Sequence, residues 1–280
     1  MIPASFDYEV AESAEHAISL LGGRGGAKLL AGGHSLLPAM KLRLARPALL
    51  VDIGRLDELS YVKEAGDAIA IGALTRHQDV RDNALLRAQC PIVSYVAGLI
   101  GDPQVRHRGT IGGTLAHGDP ASDLPAVILA LDGELVVRGA GGERTVPASE
   151  FFTGVFTTAI GESEMLVEVR VPKLGSSSGW SYVKMCRRAQ DWATVAVATV
   201  VERSNGSLGS ARIGLTNMGA TPLRAPAAER AIADGATIED AVRVIPQGTE
   251  PPSDQAASSD FRLHLSTVLG RRALEEAAAR

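Results

Sequence analysis

Two short stretches concentrate the residue types that bind anions. Residues 31–43, "AGGHSLLPAMKLR", and 110–123, "TIGGTLAHGDPASD", each carry a Gly-Gly pair after an apolar run, a hydroxyl or imidazole within two residues, and a helix-forming segment soon after. Adjacent glycines let successive backbone N–H groups converge on one anion, because no Cβ blocks close approach and left-handed φ is open to them. Ser35, Thr110 and Thr114 add hydroxyl donors, so two such turns can grip one diphosphate from opposite sides. A single Gly-Gly turn is usually only a turn, and it is the matching pair that carries weight. Neither is a G-x-G-x-x-G fingerprint with an acid placed for a ribose, and no Walker lysine follows either pair. A dinucleotide would have to be held in another way.

Other polar residues have plainer readings. His117 and Asp119 resemble a catalytic dyad, but an Asp-Pro turn with a local hydrogen bond accounts for Asp119, and a loop histidine more often packs than acts as a base. "HQD" at 77–79 reads as the start of a helix. The basic run Arg106, His107, Arg108 either helps neutralise a diphosphate or forms a solvated or subunit-facing cluster. Cys90 and Cys186 are the only cysteines and share no C-x-x-C spacing. That argues against a disulfide framework, a structural zinc site or an iron–sulfur cluster within this chain.

The elements around these stretches follow from periodicity. Ala14, Ala17, Ile18 and Leu21 recur at helical spacing after Ser13, a candidate cap, and "GGRGG" stops that helix. "AKLLAGG", "LLPAMKLRLA" and "PALLVDIG" read as strand, helix, strand, a small βαβ-like unit that favours a parallel sheet. "LSYVKEAGDAIAIGAL" reads as a hairpin, while "TRHQDVRDN", "PIVSYVAGLI" and "DLPAVILAL" are helical. "GELVVRG", "ERTVP" and "EMLVEVRVP" are expected in an antiparallel sheet. "PKLGSSSGW" combines proline, glycine and serines and marks a domain break near Gly175. Beyond it, "WSYVKMCRR", "WATVAVATVVER" and "LGSARIGLTNMG" form a three-stranded meander, with helices in "TPLRAPAAERAIADG" and "FRLHLSTVLGRRALEEAAAR" on one side.

The chain has 280 residues, 45% hydrophobic and 21% charged, enough for one large core or two smaller ones. A formal charge of -4 supplies no basic field, which disfavours a nucleic-acid partner. The N-terminus has early acids and no apolar h-region, and no apolar run approaches the length of a membrane span. A cytoplasmic protein is expected, with any contact to the inner face of the membrane made through partners. No repeat at solenoid periods is present.

"AGGHSLLPAMKLRLARPALLVDI" together with "DPQVRHRGTIGGTLAHGDPASDLP" resembles the FAD-binding subunits of molybdenum hydroxylases, the xanthine dehydrogenase family. The likeness runs nearly end to end, through "MIPASFDY", "RRAQDWATVAVA", "IGLTNMGATPLRA" and "FRLHLSTVLGRRAL". Within the family it resembles the medium, flavoprotein chain of aerobic carbon-monoxide dehydrogenase. The resemblance implies an α+β fold: a two-part FAD-binding domain of the vanillyl-alcohol oxidase or molybdopterin dehydrogenase type over residues 1–175, split near residue 55, then a three-stranded antiparallel sheet domain with helices over 176–280.

It also implies roles. Ala31, Gly32, Gly33, His34 and Ser35 match the first pyrophosphate loop, and Thr110, Ile111, Gly112, Gly113 and Thr114 the second. Asp123 matches an acid expected to hydrogen-bond the flavin side of FAD. Trp192 falls where the family places an aromatic residue, commonly tyrosine, close to the isoalloxazine ring, with Lys184 nearby. Two departures stand out. Thr114 replaces the asparagine of the more usual TIGGN, keeping a donor but losing the amide geometry, and Trp192 replaces a phenol with a larger ring. A covalent flavin link at His34 is not expected.

The resemblance further implies one subunit of a three-chain complex, with a large molybdenum-molybdopterin subunit and a small subunit holding two 2Fe-2S clusters, paired into a dimer of heterotrimers. This chain's task would be electron exit, from the clusters through FAD to a quinone or another acceptor, with no catalytic side chain and no metal of its own. Carbon monoxide oxidation is the first reading for the complex, and hydroxylation of an N-heterocycle or aldehyde the second. Two other classes stay open: a stand-alone FAD reductase or oxidase, and a non-redox interaction module with a decayed flavin site.

Overall fold

The computed structural model describes residues 1–23, 25–204 and 207–280. Arg24, at the centre of "GGRGG", lies outside the described residues. At the N-terminus, β1 (Asp7–Val10), α1 (Ala14–Gly23), β2 (Ala27–Leu30), α2 (Leu36–Lys41) and β3 (Leu49–Asp52) build a parallel sheet in the order β1-β3-β2. Ser13 caps α1, its hydroxyl accepting from the His16 amide at 3.1 Å. Leu49, Leu50 and Val51 are all buried, which places β3 in the centre. β1 is absent from the sequence reading because Asp7, Tyr8 and Glu9 are exposed and show no alternation. Parallel pairing with β3, Asp7 against Leu49, recruits it. α2 stops at Lys41, well before Ala45, and Arg43 takes a left-handed φ of 61°.

The middle of the chain opens with the hairpin β4 (Val62–Ala65) and β5 (Ala68–Gly72). Six helices follow: α3 (His77–Asp82), α4 (Ala84–Gln89), α5 (Pro91–Leu99), α6 (Pro103–Arg106), α7 (Ile111–His117) and α8 (Asp123–Ala130). Then come β6 (Glu134–Gly139), β7 (Gly142–Pro147), α9 (Ala148–Phe151), the short pair β8 (Phe152–Gly154) and β9 (Thr157–Thr158), and β10 (Met165–Pro172). The antiparallel sheet runs β4-β5-β10-β6-β7. One face, with Ile69, Ile71, Leu135, Val137 and Val169, packs on the helices; Val136, Met165 and Val167 pack on the small parallel sheet. A bulge between Leu166 and Glu168 explains why Leu166 and Val169 share a face although strict alternation would separate them.

The C-terminal part contains β11 (Ser178–Met185), β12 (Val195–Ser204), β13 (Ser207–Thr216), β14 (Leu223–Arg224), α10 (Pro226–Ala233), α11 (Ile238–Arg243) and α12 (Ser259–Ala279). The three long strands form the expected meander, and two-residue β14 extends it to the order β11-β12-β13-β14. α10, α11 and α12 cover one face, where Val195, Val197 and Leu215 meet Ile232, Val242 and Leu274. The opposite face is covered too, since Ala196, Ala198 and Val200 join the core around α8. All eight α8 residues are buried, as expected for an apolar helix wedged between two sheets. Among the described residues, no helix is long and apolar enough to cross a membrane.

Candidate cofactor site

A cavity of about 800 Å³ lies where the parallel sheet, α7 and the β11–β12 connection meet, and both glycine pairs line it. The first pair joins β2 to α2. Gly33 has a φ of +77°, which reverses the chain. A Cβ on Gly32 would stand 2.3 Å from the Arg108 carbonyl oxygen, so this glycine lets the first loop lie directly on the backbone leading into the second. The carbonyls of Gly33 and Ser35 accept from the Leu37 and Ala39 amides. Among the described residues, the amides of Gly32, Gly33, His34 and Ser35 donate to no atom of the chain, and the Ser35 hydroxyl makes no capping bond. Consecutive unpaired amides beside a cavity are donors whose need an anionic acceptor would meet.

The second pair is different. The Thr110 hydroxyl accepts from the Gly113 amide at 3.1 Å. The Ile111 amide donates to the Thr75 carbonyl at 3.0 Å, Gly112 to Ala73 at 2.9 Å and Thr114 to Thr110 at 3.1 Å. These amides are satisfied within the chain, so the expectation that both pairs offer free donors is corrected. Gly112 is a spacer, because a Cβ there would lie 2.5 Å from the Ala73 Cβ. Ile111 is fully buried in the helical core and does not line the cavity. Gly113 and Thr114 do line it, and a Cβ on Gly113 would come within 3.9 Å of the Ala31 Cβ, so the two loops adjoin.

Asp123 heads α8 at another part of the cavity wall. Its carboxylate accepts from the Tyr182 hydroxyl at 2.6 Å and from the Lys184 ammonium at 3.0 Å, both on β11. Burial pushes the Asp123 carboxyl up, against the opposing pull of Lys184 and Tyr182. Lys184 does not line the cavity; its place is behind Asp123. Trp192 does line it, 63% exposed, on the connection between β11 and β12. The root of that connection is fixed. Buried Arg262 donates to the Thr194 carbonyl, and Asn217 donates from its side chain to Ala193 at 2.9 Å and from its backbone to Pro120 at 2.8 Å.

The plainer readings resolve individually. Asp119 accepts from the Ala121 amide at 2.9 Å, a turn bond. The His117 ring packs on Phe156, centroids 4.9 Å apart, with both at the cavity wall. Arg106 is not solvated: it is buried, and its guanidinium donates to the Ile100 carbonyl at 3.0 Å. His107 and Arg108 are exposed. His77 begins α3 as read, but it also lines the cavity, 2.9 Å from the Thr114 hydroxyl through Nε2. Nothing in the sequence signals that contact, because the partners are 37 residues apart. The cavity continues along β2 to Ala27 and Leu21, facing Ile160 and Glu164, a wall sequence reasoning also missed.

The open amides of the first loop, the Thr110 and Thr114 hydroxyls, Asp123 and Trp192 share one cavity lining, a donor set that suits a dinucleotide. No group of three or more His, Cys, Asp or Glu among the described residues could hold a metal ion. Residues 4–174 match the FAD binding domain in molybdopterin dehydrogenase, and residues 180–277 match the CO dehydrogenase flavoprotein C-terminal domain. The chain is 41% identical to the carbon monoxide dehydrogenase medium chain of Hydrogenophaga pseudoflava, covering 100% of this chain and 99% of that one. It is 39% identical to the 6-hydroxypseudooxynicotine dehydrogenase complex subunit alpha of Paenarthrobacter nicotinovorans, covering 100% and 97%. A solved structure of the Hydrogenophaga pseudoflava carbon monoxide dehydrogenase lacking the Mo-pyranopterin moiety superposes with a TM-score of 0.97 at 43% identity, covering 100% and 99%. The chain therefore belongs to the FAD-binding molybdopterin dehydrogenase family, as a medium, FAD-binding subunit of the molybdenum hydroxylases.

Proposed function

We propose that this chain is the electron-exit subunit of a three-chain molybdenum hydroxylase. The observation that carries the reading is the row of unpaired amides from Gly32 to Ser35 at the wall of a cavity of about 800 Å³. These amides, with His34 and Ser35, hold the FAD diphosphate; Ala31 sets the turn at the end of β2. Gly112 and Ile111 seat the second loop so that bare Gly113 and the hydroxyls of Thr110 and Thr114 close on the same group. Asp123, oriented by Lys184 and Tyr182, faces the flavin half, and Trp192 flanks the ring. FAD supplies the exchange between one-electron and two-electron transfer. The residues of this chain bind and orient it and provide a docking surface.

The partners in this reading are a large molybdenum-cofactor subunit and a small subunit with two 2Fe-2S clusters, assembled as a dimer of heterotrimers, with a quinone as acceptor. Carbon monoxide is the first substrate. An N-heterocycle is the second, supported by the near-equal identity to the 6-hydroxypseudooxynicotine dehydrogenase subunit. Co-purification with the products of neighbouring reading frames, followed by quinone-analogue reduction with carbon monoxide, an N-heterocycle or an aldehyde, separates them. Turnover of a pyridine nucleotide by this chain alone would instead establish a stand-alone flavin enzyme.

A further inference from the structure

We propose that His77 is a positioning residue for the bound dinucleotide: its ring holds the Thr114 hydroxyl so that the hydroxyl hydrogen is free for a phosphate oxygen. The inference rests on the FAD reading above. His77 Nε2 lies 2.9 Å from Thr114 Oγ1, and both residues line the cavity. The ring is 2% exposed, and its Nδ1 has no hydrogen-bond partner. With the proton on Nδ1, the ring would bury an unpaired N–H and take the only hydrogen of Thr114. With the proton on Nε2, that N–H is paired with Oγ1, only a lone pair is left at Nδ1, and the threonine hydrogen can point elsewhere. Apart from His77, the Thr114 hydroxyl has no partner among the described residues.

The ring is held in register from two sides. The His77 amide donates to the Gly109 carbonyl at 3.0 Å, and Gly109 lies so close that a Cβ there would be 2.8 Å from His77 Cδ2. Arg76, the preceding residue, bridges to Thr110 in an isolated antiparallel pair. Burial first, then the charges of Arg106, His34 and Arg76, push the imidazole pKa down to about 4, so the ring carries one proton at neutral pH. The second glycine loop has no free amide to offer among Ile111–Thr114, which leaves the Thr110 and Thr114 hydroxyls as its donors, and of these Thr114 is the one that His77 directs.

The test is a double-mutant cycle of His77→Phe and Thr114→Val in the full chain, read by equilibrium FAD binding through flavin fluorescence. Nitrogen NMR of the wild-type imidazole gives the tautomer. Each single variant should weaken FAD by about tenfold or more, and the double should be no weaker than the worse single. His77→Gln, whose amide nitrogen can donate from the same place, should restore affinity to within about threefold. Thr114→Asn, with amide hydrogens in a fixed plane, should make affinity insensitive to His77→Phe. A proton on Nδ1, additive losses in the cycle, or unchanged affinity in both singles overturns the inference while leaving the FAD site standing. A wild-type chain that binds no FAD overturns both. Should His77→Phe fail to fold, Thr114→Val and the tautomer decide.

Discussion

The two glycine loops look alike as sequence and differ as structure. Residues 31–35 leave four consecutive amides without a partner, whereas the amides of residues 111–114 are all bonded to Ala73, Thr75 or Thr110. In the proposed reading the first loop's glycines serve a ligand, Gly33 making the reversal beside the unpaired amides. In the second they serve the fold, since Gly112 lets α7 press against the end of β5. The same dipeptide therefore answers two demands, close approach by a bound group and close approach by the chain itself. Gly32 belongs to both, seating the first loop on the backbone at Arg108.

Substitutions should split along this line. Gly112→Val has the largest expected effect: a side chain 2.5 Å from Ala73 cannot be absorbed, so the apo protein itself should lose about 3 kcal/mol or more in denaturant unfolding. Gly33→Val should lower FAD affinity by a hundredfold or more while the C-terminal sheet keeps its circular-dichroism signature. Apo stability there should fall by less, about 1–3 kcal/mol, from a left-handed φ on a β-branched residue and from moving the ends of the flexible Leu37 and Leu30 side chains rather than backbone. Loss of FAD without loss of fold in Gly112→Val, or the reverse in Gly33→Val, would erase the distinction.

A pH experiment sharpens the second-loop side. His77 packs behind that loop with its pKa lowered to about 4, below the unfolded value of 6.5, so the unfolded chain binds the extra proton between those two values. The stability it contributes is present above pH 6.5 and is lost as pH falls toward 4. By pH 5 the loss should be about 2 kcal/mol, and His77→Gln should flatten that limb of the stability profile. Trp192→Ala should have the smallest effect on binding, within about threefold, because its ring is largely exposed and offers no donor to the diphosphate in the proposed reading. It should instead shift flavin absorbance or reduction potential, and no change in either would remove Trp192 from the site.

Legibility followed how local each signal was. The glycine pairs, the capped start of α1, the apolar run of α8 and the long C-terminal strands are written in neighbouring residues and were readable. β1 was not, because its exposed polar residues are held by a partner strand forty residues away rather than by their own pattern. The burial of Ile111, the bulge at Leu166 and the role of Lys184 behind Asp123 each depend on contacts between distant segments. Arg106 reads as a surface charge in sequence because nothing in "RHR" reveals that three carbonyl and amide groups converge on its guanidinium. Which amides are free, the property that separates the two loops, belongs to tertiary pairing and has no signature in the dipeptide.

The central claim is that the open first loop and the closed second loop together hold a flavin dinucleotide. The most direct measurement is an absorbance spectrum of the purified chain, produced with and without its neighbouring subunits, followed by heat release and chromatography of the cofactor. The account predicts a yellow protein that releases FAD rather than FMN or riboflavin, retained more fully when the partners are present. A colourless chain in both preparations, unable to take up added FAD, would contradict it.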